Sequence, residues 1–143
     1  MMVKQISVFV ENASGKLSRV TTALAEGHID IRALSIADTT DFGILRMIVE
    51  DPDKAVAILQ EKNIMVKSTD VIVVEIDDVP GGLNKALCLL RDQAVMLEYL
   101  YAFAGKKGNE AYVIMKTDNE AVAIEALRNG GVRVLEAKEV YAL

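Results

Sequence analysis

The sequence predicts an α+β protein made of two tandem copies of one βαββαβ unit, each a four-stranded antiparallel sheet with two helices on one face. Two observations predict it. Short runs rich in β-branched residues alternate with segments of helical apolar spacing in the order β-α-β-β-α-β. That order then occurs a second time at a nearly constant spacing. A unit of this order in roughly 66 to 70 residues makes a ferredoxin-like sandwich.

In the first copy, Val3 to Val10 (VKQISVFV) reads as a strand, with partial alternation. It runs into Glu11-Asn12-Ala13-Ser14-Gly15-Lys16-Leu17, a turn of small and polar residues. Leu17, Val20, Thr21, Leu24 and Ala25 then fall at helix spacing, and Gly27 is placed to end that helix. Ile29, Ile31, Ala33 and Leu34 begin a second strand, and Asp38-Thr39-Thr40-Asp41 supplies a polar hairpin turn. Ile44 to Val49 is the third strand. Asp51-Pro52-Asp53 opens a second helix carrying Ala55, Val56, Ile58 and Leu59, with Pro52 at or before its first turn. Met65-Val66 and Val71 to Ile76 (VIVVEI) close the unit with strand material.

A shift of 66 residues, the distance from Gly15 to Gly81, also lays Leu17 on Leu83, Leu24 on Leu90, Leu34 on Leu100 and Ile48 on Ile114. It superimposes Ala55-Val56-Ala57-Ile58 on the identical Ala121-Val122-Ala123-Ile124. The stretch Gly105-Lys106-Lys107-Gly108-Asn109 falls on the first copy's hairpin, and Val132-Arg133-Val134 follows two residues late relative to Ile64-Met65-Val66. The expected units are residues 1–70 and 71–143. No Gly, Ser or Pro enrichment separates them, so no flexible linker is expected. The Val71 to Ile76 strand is a candidate to be shared by both halves.

Composition narrows the function classes. A chain of 143 residues that is 52% hydrophobic and 26% charged can bury a core, which excludes intrinsic disorder. A net charge of −5 argues against a nucleic-acid-binding surface. No apolar run approaches the roughly 18 residues needed to span a bilayer, and no signal-peptide core follows Met1. The one cysteine, Cys88, cannot form an internal disulfide, which fits a reducing compartment. A cytoplasmic protein without a membrane or nucleic-acid partner is expected.

The first turn, its partial copy Asp77-Asp78-Val79-Pro80-Gly81-Gly82-Leu83, the repeated element order and the strand-end pattern Thr69-Asp70-Val71 to Glu75 together resemble the ACT-domain family of regulatory modules, as a tandem pair covering the whole chain. The second turn is similar to the family's N/D-x-P-G-x-L pattern after the first strand. The first has Ser14 where that pattern has proline, and serine can still cap a helix. The resemblance implies amino-acid binding at an interface between paired units. In such sites turn N–H groups take the ligand carboxylate and an Asn or Asp side chain helps with its amino group. The physics agrees. A strand turning through small residues into a helix start leaves backbone N–H groups pointing outward, a ready anion site. Asn12 offers a carbonyl acceptor and Asp78 a charged one, while Gly15, Gly81 and Gly82 let a ligand approach the backbone.

On this reading the candidate ligand residues are Asn12, Ala13, Ser14, Gly15, Lys16 and Leu17 in the first turn and Asp78, Gly81, Gly82 and Leu83 in the second. Ala33, Ser35 and Ile36 are candidate walls. The plain alternative for each turn is a strand-to-helix connection built from ordinary capping residues. Asn12 makes the first turn the better placed, since Asp78 could serve only to cap its helix.

Other candidates have simpler explanations. His28, after Gly27, reads as a solvated residue at a helix end favoured by the dipole. Cys88 sits at apolar helix spacing with Leu87, Leu90 and Ala94, as a small core residue. Tyr99, Tyr101 and Phe103 alternate along one strand and read first as a packing face, second as a pocket wall. No phosphate loop, dinucleotide fingerprint, cysteine pair or metal cluster is present, and with a single histidine there is no triad. No cofactor, metal or catalytic residue is therefore assigned. The expected function is regulatory and allosteric: a non-catalytic homodimer that binds a small amino acid. The alternative is an interaction subunit that docks on an amino-acid biosynthetic enzyme and binds no ligand of its own.

Overall fold

A computed structural model describes residues 2–11, 13–38, 42–103 and 108–143. The chain runs β1 (Val3–Glu11), α1 (Lys16–Glu26), β2 (Ile31–Asp38), β3 (Phe42–Val49), α2 (Pro52–Glu61), β4 (Val66–Asp77), α3 (Gly82–Asp92), β5 (Leu97–Ala102), β6 (Glu110–Thr117), α4 (Glu120–Asn129), β7 (Arg133–Val134) and α5 (Ala137–Tyr141). This is the predicted α+β architecture of two βαββαβ units. The predicted hairpin residues Thr39, Thr40 and Asp41, and Gly105, Lys106 and Lys107, lie outside the described residues.

Contacts group the chain into one compact unit of Lys4–Thr69 with Tyr141–Leu143 and another of Asp70–Val140 with the first three residues. The divide falls inside β4, which is therefore one long strand that ends the first copy and begins the second. The sequence suggested two separate pieces there because Lys67-Ser68-Thr69-Asp70 is polar.

In the N-terminal unit the strand order is β2-β3-β1-β4. β3 pairs antiparallel with β1 (Val8↔Leu45) and with β2 (Ile36↔Leu45). Alternate residues Ile6, Val8 and Val10 of β1 and Leu45, Met47 and Val49 of β3 share one face and are buried under Val20, Ala23 and Leu24 of α1 and Ala55 and Leu59 of α2. The helix apolar stripe at three- and four-residue spacing meets the strand period of two on that face, which fixes the register.

The C-terminal unit repeats the plan. β4 pairs antiparallel with β6 (Val74↔Val113) and with the short β7 (Val74↔Val134), and β5 pairs with β6. Its core joins Ile72 and Val74, Val113 and Met115, Ala86 and Leu90 of α3, and Ala123 and Leu127 of α4. Cys88 is a half-buried free thiol on α3, donating to the Asn84 side-chain oxygen. Tyr101 is buried, and Phe103 packs edge-on against Tyr112 with ring centroids 6.1 Å apart.

The structure corrects the repeat. β1, α1 and β2 match β4, α3 and β5 at the 66-residue shift, but β3 and α2 match β6 and α4 two residues later. The buried pair Ala55 and Leu59 corresponds to Ala123 and Leu127, and the N-cap Asp51 to Asn119. The two extra residues of the second copy thus fall between β5 and β6. The identical Ala-Val-Ala-Ile segments are not structural equivalents: Ala55 is buried while Ala121 is exposed.

Candidate functional site

The two turns are conformational copies. Lys16 donates its N–H to the Ala13 carbonyl at 3.3 Å, and Gly82 donates to Val79 at 3.0 Å. The third residue of each is a glycine at positive φ, Gly15 at 81° and Gly81 at 86°, each with ψ −5°. These are type II turns, which need a residue tolerant of positive φ third and favour proline second. Pro80 holds the second place in one turn and Ser14 in the other. The resulting N-caps are Gly15 and Gly81 themselves, neither with a side-chain cap hydrogen bond. The N-cap place thus falls one residue after Ser14 and three after Asp78, on glycine in both turns. The Asp78 N–H donates to the Asn109 carbonyl at 2.8 Å.

The other two long helices start differently. The Asp51 carboxylate accepts from the Lys54 N–H at 3.1 Å, and the Asn119 side chain accepts from Val122 N–H at 3.2 Å. α2 and α4 therefore carry side-chain caps where α1 and α3 carry glycine. A β-carbon built on Gly15 or Gly81 meets nothing within 4 Å, so the space outside both turns is open. The first-turn N–H groups of a helix have no intrahelical acceptor, and those of Lys16 and Gly82 are taken by the turn itself.

Beside each turn lies a cavity. The first, about 420 Å³, is lined by Phe9, Val10, Glu11, Lys16, Arg19, Val20, Phe42, Asn63, Ile64 and Met65. The second, about 390 Å³, includes Glu75, Ile76, Asp77, Gly81, Gly82, Lys85, Gly131, Val132 and Arg133. These occupy equivalent places: the end of the first strand, the start of the first helix, and the entry to the last strand. Asn63 and Gly131 even share positive φ, at 57° and 81°. Lys16 reaches within 3.9 Å of Glu11, and the Arg19 guanidinium donates to the Lys62 carbonyl. In the second cavity Arg133 pairs with both Glu75 and Glu139, and the hydrogen bond it donates to Glu75 holds its guanidinium proton more tightly than usual.

Of the residues expected from the sequence, Lys16, Gly81 and Gly82 line these cavities. Gly15 borders another depression of about 330 Å³ on α1, which shares Arg19 with the first cavity. Ala13, Ser14 and Leu17 are exposed on the turn, and Leu83 packs on the core. Asn12 lies outside the described residues. Ala33, Ser35 and Ile36 are not beside the turn of their own unit, because β3 separates β2 from β1. Ala33 and Ser35 pair with Ile48 and Arg46 on one face, and Ile36 pairs with Leu45 on the other. Sequence reasoning missed Phe9, Arg19, Phe42, Asn63 and Met65. Arg19 was detectable, since the repeat lays it on another cation, Lys85.

A turn of this geometry, placed twice between first strand and first helix, narrows the family, and one comparison decides it. The family model for the ACT domain pair matches residues 1–143. The chain belongs to the ACT domain-pair family. The protein is similar over its full length to a crystal structure of a protein from Bacteroides thetaiotaomicron, with 43% identity, TM-score 0.94, and 98% of that chain covered. At 16% identity and TM-score 0.64 its fold is shared with the ligand-free regulatory subunit of aspartate kinase from Thermus thermophilus, covering 91% of this chain and 94% of that one. A structure of aspartokinase α and β subunits gives TM-score 0.62 at 14% identity, over 89% and 90% of the chains. No curated protein matches the sequence. Among the described residues no group of three or more His, Cys, Asp or Glu could hold a metal, and no helix is long and apolar enough to cross a membrane.

Proposed function

We propose that this ACT pair is a non-catalytic regulatory protein whose β1–α1 turn seats the carboxylate of an amino acid. The observation that carries this is the contrast among its helices. α2 and α4 start on capping side chains, whereas α1 and α3 start on positive-φ glycines with open space outside them. A helix start left uncapped beside a cavity is suited to an anionic ligand group. The proposed contacts are those of residues 12–17 in the first turn, and of Asp78, Gly81 and Gly82 in the second. Ala33, Ser35 and Ile36 can take part only from the β2 edge of a second copy, which makes a homodimer part of the proposal. A ligand bound with different affinity in two arrangements of the dimer shifts the balance between them.

A second reading has its own observation. β2 is an edge strand with Leu34 and Ile36 52% and 54% exposed, and such an edge suits pairing with another chain. That chain would be an amino-acid biosynthetic enzyme, in keeping with the regulatory subunits that share this fold.

Thermal unfolding of the purified, ligand-free protein against each of the twenty amino acids separates the two. A ligand at a hundred times its dissociation constant stabilises by about 2.7 kcal/mol, a shift on the order of 5–10 °C. Selective stabilisation by one or two amino acids supports binding. A flat panel together with a co-purifying enzyme supports docking.

A further inference from the structure

The two cavities are equivalent in place and opposite in chemistry. Where the C-terminal unit has Glu75 and Arg133 as an ion-paired cross-strand couple, the N-terminal unit has Phe9 and Met65, joined through the Phe9 N–H and the Met65 carbonyl at 3.4 Å. Where the C-terminal unit has Glu110, the N-terminal one has Phe42, edge-on to Phe9 with centroids 6.0 Å apart. Phe9, Phe42 and Met65 remain 40%, 40% and 69% exposed, so the N-terminal cavity has an apolar wall that its own unit does not cover.

Charge differs in the same direction. Lys16 and Arg19 against Glu11 give the N-terminal cavity a positive balance. In the C-terminal cavity Lys85 and Arg133 stand against Glu75 and Asp77, and Arg133 is engaged by two carboxylates. In the second cavity the Arg133–Glu75 ion pair occupies the place of the apolar wall. The first offers an apolar wall, two cations and about 420 Å³, within the range of small-ligand pockets.

We infer that the protein binds one ligand per chain, in the N-terminal cavity, and that the ligand is a carboxylate carrying a bulky apolar group, such as an amino acid with a large aliphatic or aromatic side chain. This rests on the proposed binding function and narrows it. The apolar group lies against Phe9, Phe42 and Met65, where burial of its surface drives binding. The carboxylate lies toward Lys16 and Arg19, whose planar fork suits two-point contact. The C-terminal cavity, where the Glu75–Arg133 pair stands in place of the apolar wall, takes no ligand, which narrows the proposed contacts to those of the first turn.

Titration calorimetry with l-phenylalanine, l-leucine, l-methionine, l-serine, l-aspartate, l-lysine, 3-phenylpropionate and phenethylamine tests this. Phenylalanine, leucine or methionine should bind at one per chain. 3-Phenylpropionate should bind as a carboxylate lacking the amino group, and phenethylamine, which lacks the carboxylate, should not. The double substitution Phe9→Glu with Met65→Arg writes the C-terminal pair into the N-terminal cavity and should weaken binding at least about tenfold. Phe42→Ala, a single truncation at an exposed ring, should weaken it while leaving the melting temperature close to that of the parent. Binding of serine, aspartate or lysine in preference to the apolar set, or two ligands per chain, overturns the inference and leaves amino-acid binding standing. Binding of 3-phenylpropionate without any amino acid keeps the cavity assignment and overturns the amino-acid reading. No binding of any probe overturns both.

Discussion

Gly82 approaches Asp77 so closely that a β-carbon on Gly82 would lie 2.0 Å from the Asp77 carbonyl oxygen. The neighbour is backbone and cannot swing aside. The equivalent position in the first turn is Lys16, which carries a side chain, so the second turn is the tighter of the two. Gly82→Ala is expected to destabilise the protein by about 1–3 kcal/mol, the usual cost of forcing atoms into filled space. Lys16→Ala should stay within about 0.5 kcal/mol, because the half-buried side chain leaves no core cavity behind. Denaturant midpoints of the two variants check this, and equal midpoints would refute the difference between the turns.

Ser14 holds the place of Pro80 in an otherwise matching type II turn. Proline pre-sets φ near −65°, which the second place of a type II turn requires. Ser14→Pro should therefore stabilise by about 0.4–1 kcal/mol, through loss of unfolded-chain entropy. A rise in melting temperature is the expected readout. A fall would show that the two turns differ in backbone conformation.

Much of this architecture was legible because the apolar periods are strong. Ile6, Val8 and Val10 alternate, and Val20, Ala23 and Leu24 recur at helix spacing, so strand, helix and shared face follow from the letters. The repeat was legible in outline and misleading in detail. The Ala-Val-Ala-Ile identity favoured a uniform 66-residue shift, yet two residues along a helix turn it by about 200°. That would point Ala121 into the core in place of Ala123, and burial chooses Ala123. α5 went unread because five residues with two buried positions, Ala137 and Val140, carry too little periodicity to stand out. The cavity was hidden for another reason. Phe9, Phe42 and Met65 come from three strand ends far apart in sequence, and each alone looks like a strand residue. Only comparison with Glu75, Glu110 and Arg133 exposes them as a set.

The side-chain caps of α2 and α4 make a prediction that sets them apart from the glycine caps. Asp51→Ala and Asn119→Ala each remove an acceptor from a first-turn N–H, at 3.1 Å and 3.2 Å in the folded protein. Each should cost about 1 kcal/mol and leave ligand binding unchanged. If either variant altered ligand affinity while sparing stability, the division into structural and ligand-facing helix starts would be wrong.

Lys116, on β6, makes the pH prediction. Its ammonium hydrogen-bonds to Glu120 in the first turn of α4 and lies 3.8 Å from Glu98. The Glu120 hydrogen bond raises its pKa above the ordinary 10.5, against the opposing effect of burial. A folded-state pKa above the unfolded one means that the contribution is fully present below 10.5 and is lost as pH rises through the folded value. Lys116→Met should therefore be less stable than the parent by an amount that is constant at neutral pH and shrinks on the alkaline side of 10.5. Denaturant midpoints of both proteins, followed from pH 7 into that alkaline range, give the curve. A gap that stays the same width throughout would show that the Lys116–Glu120 contact contributes nothing to the folded state.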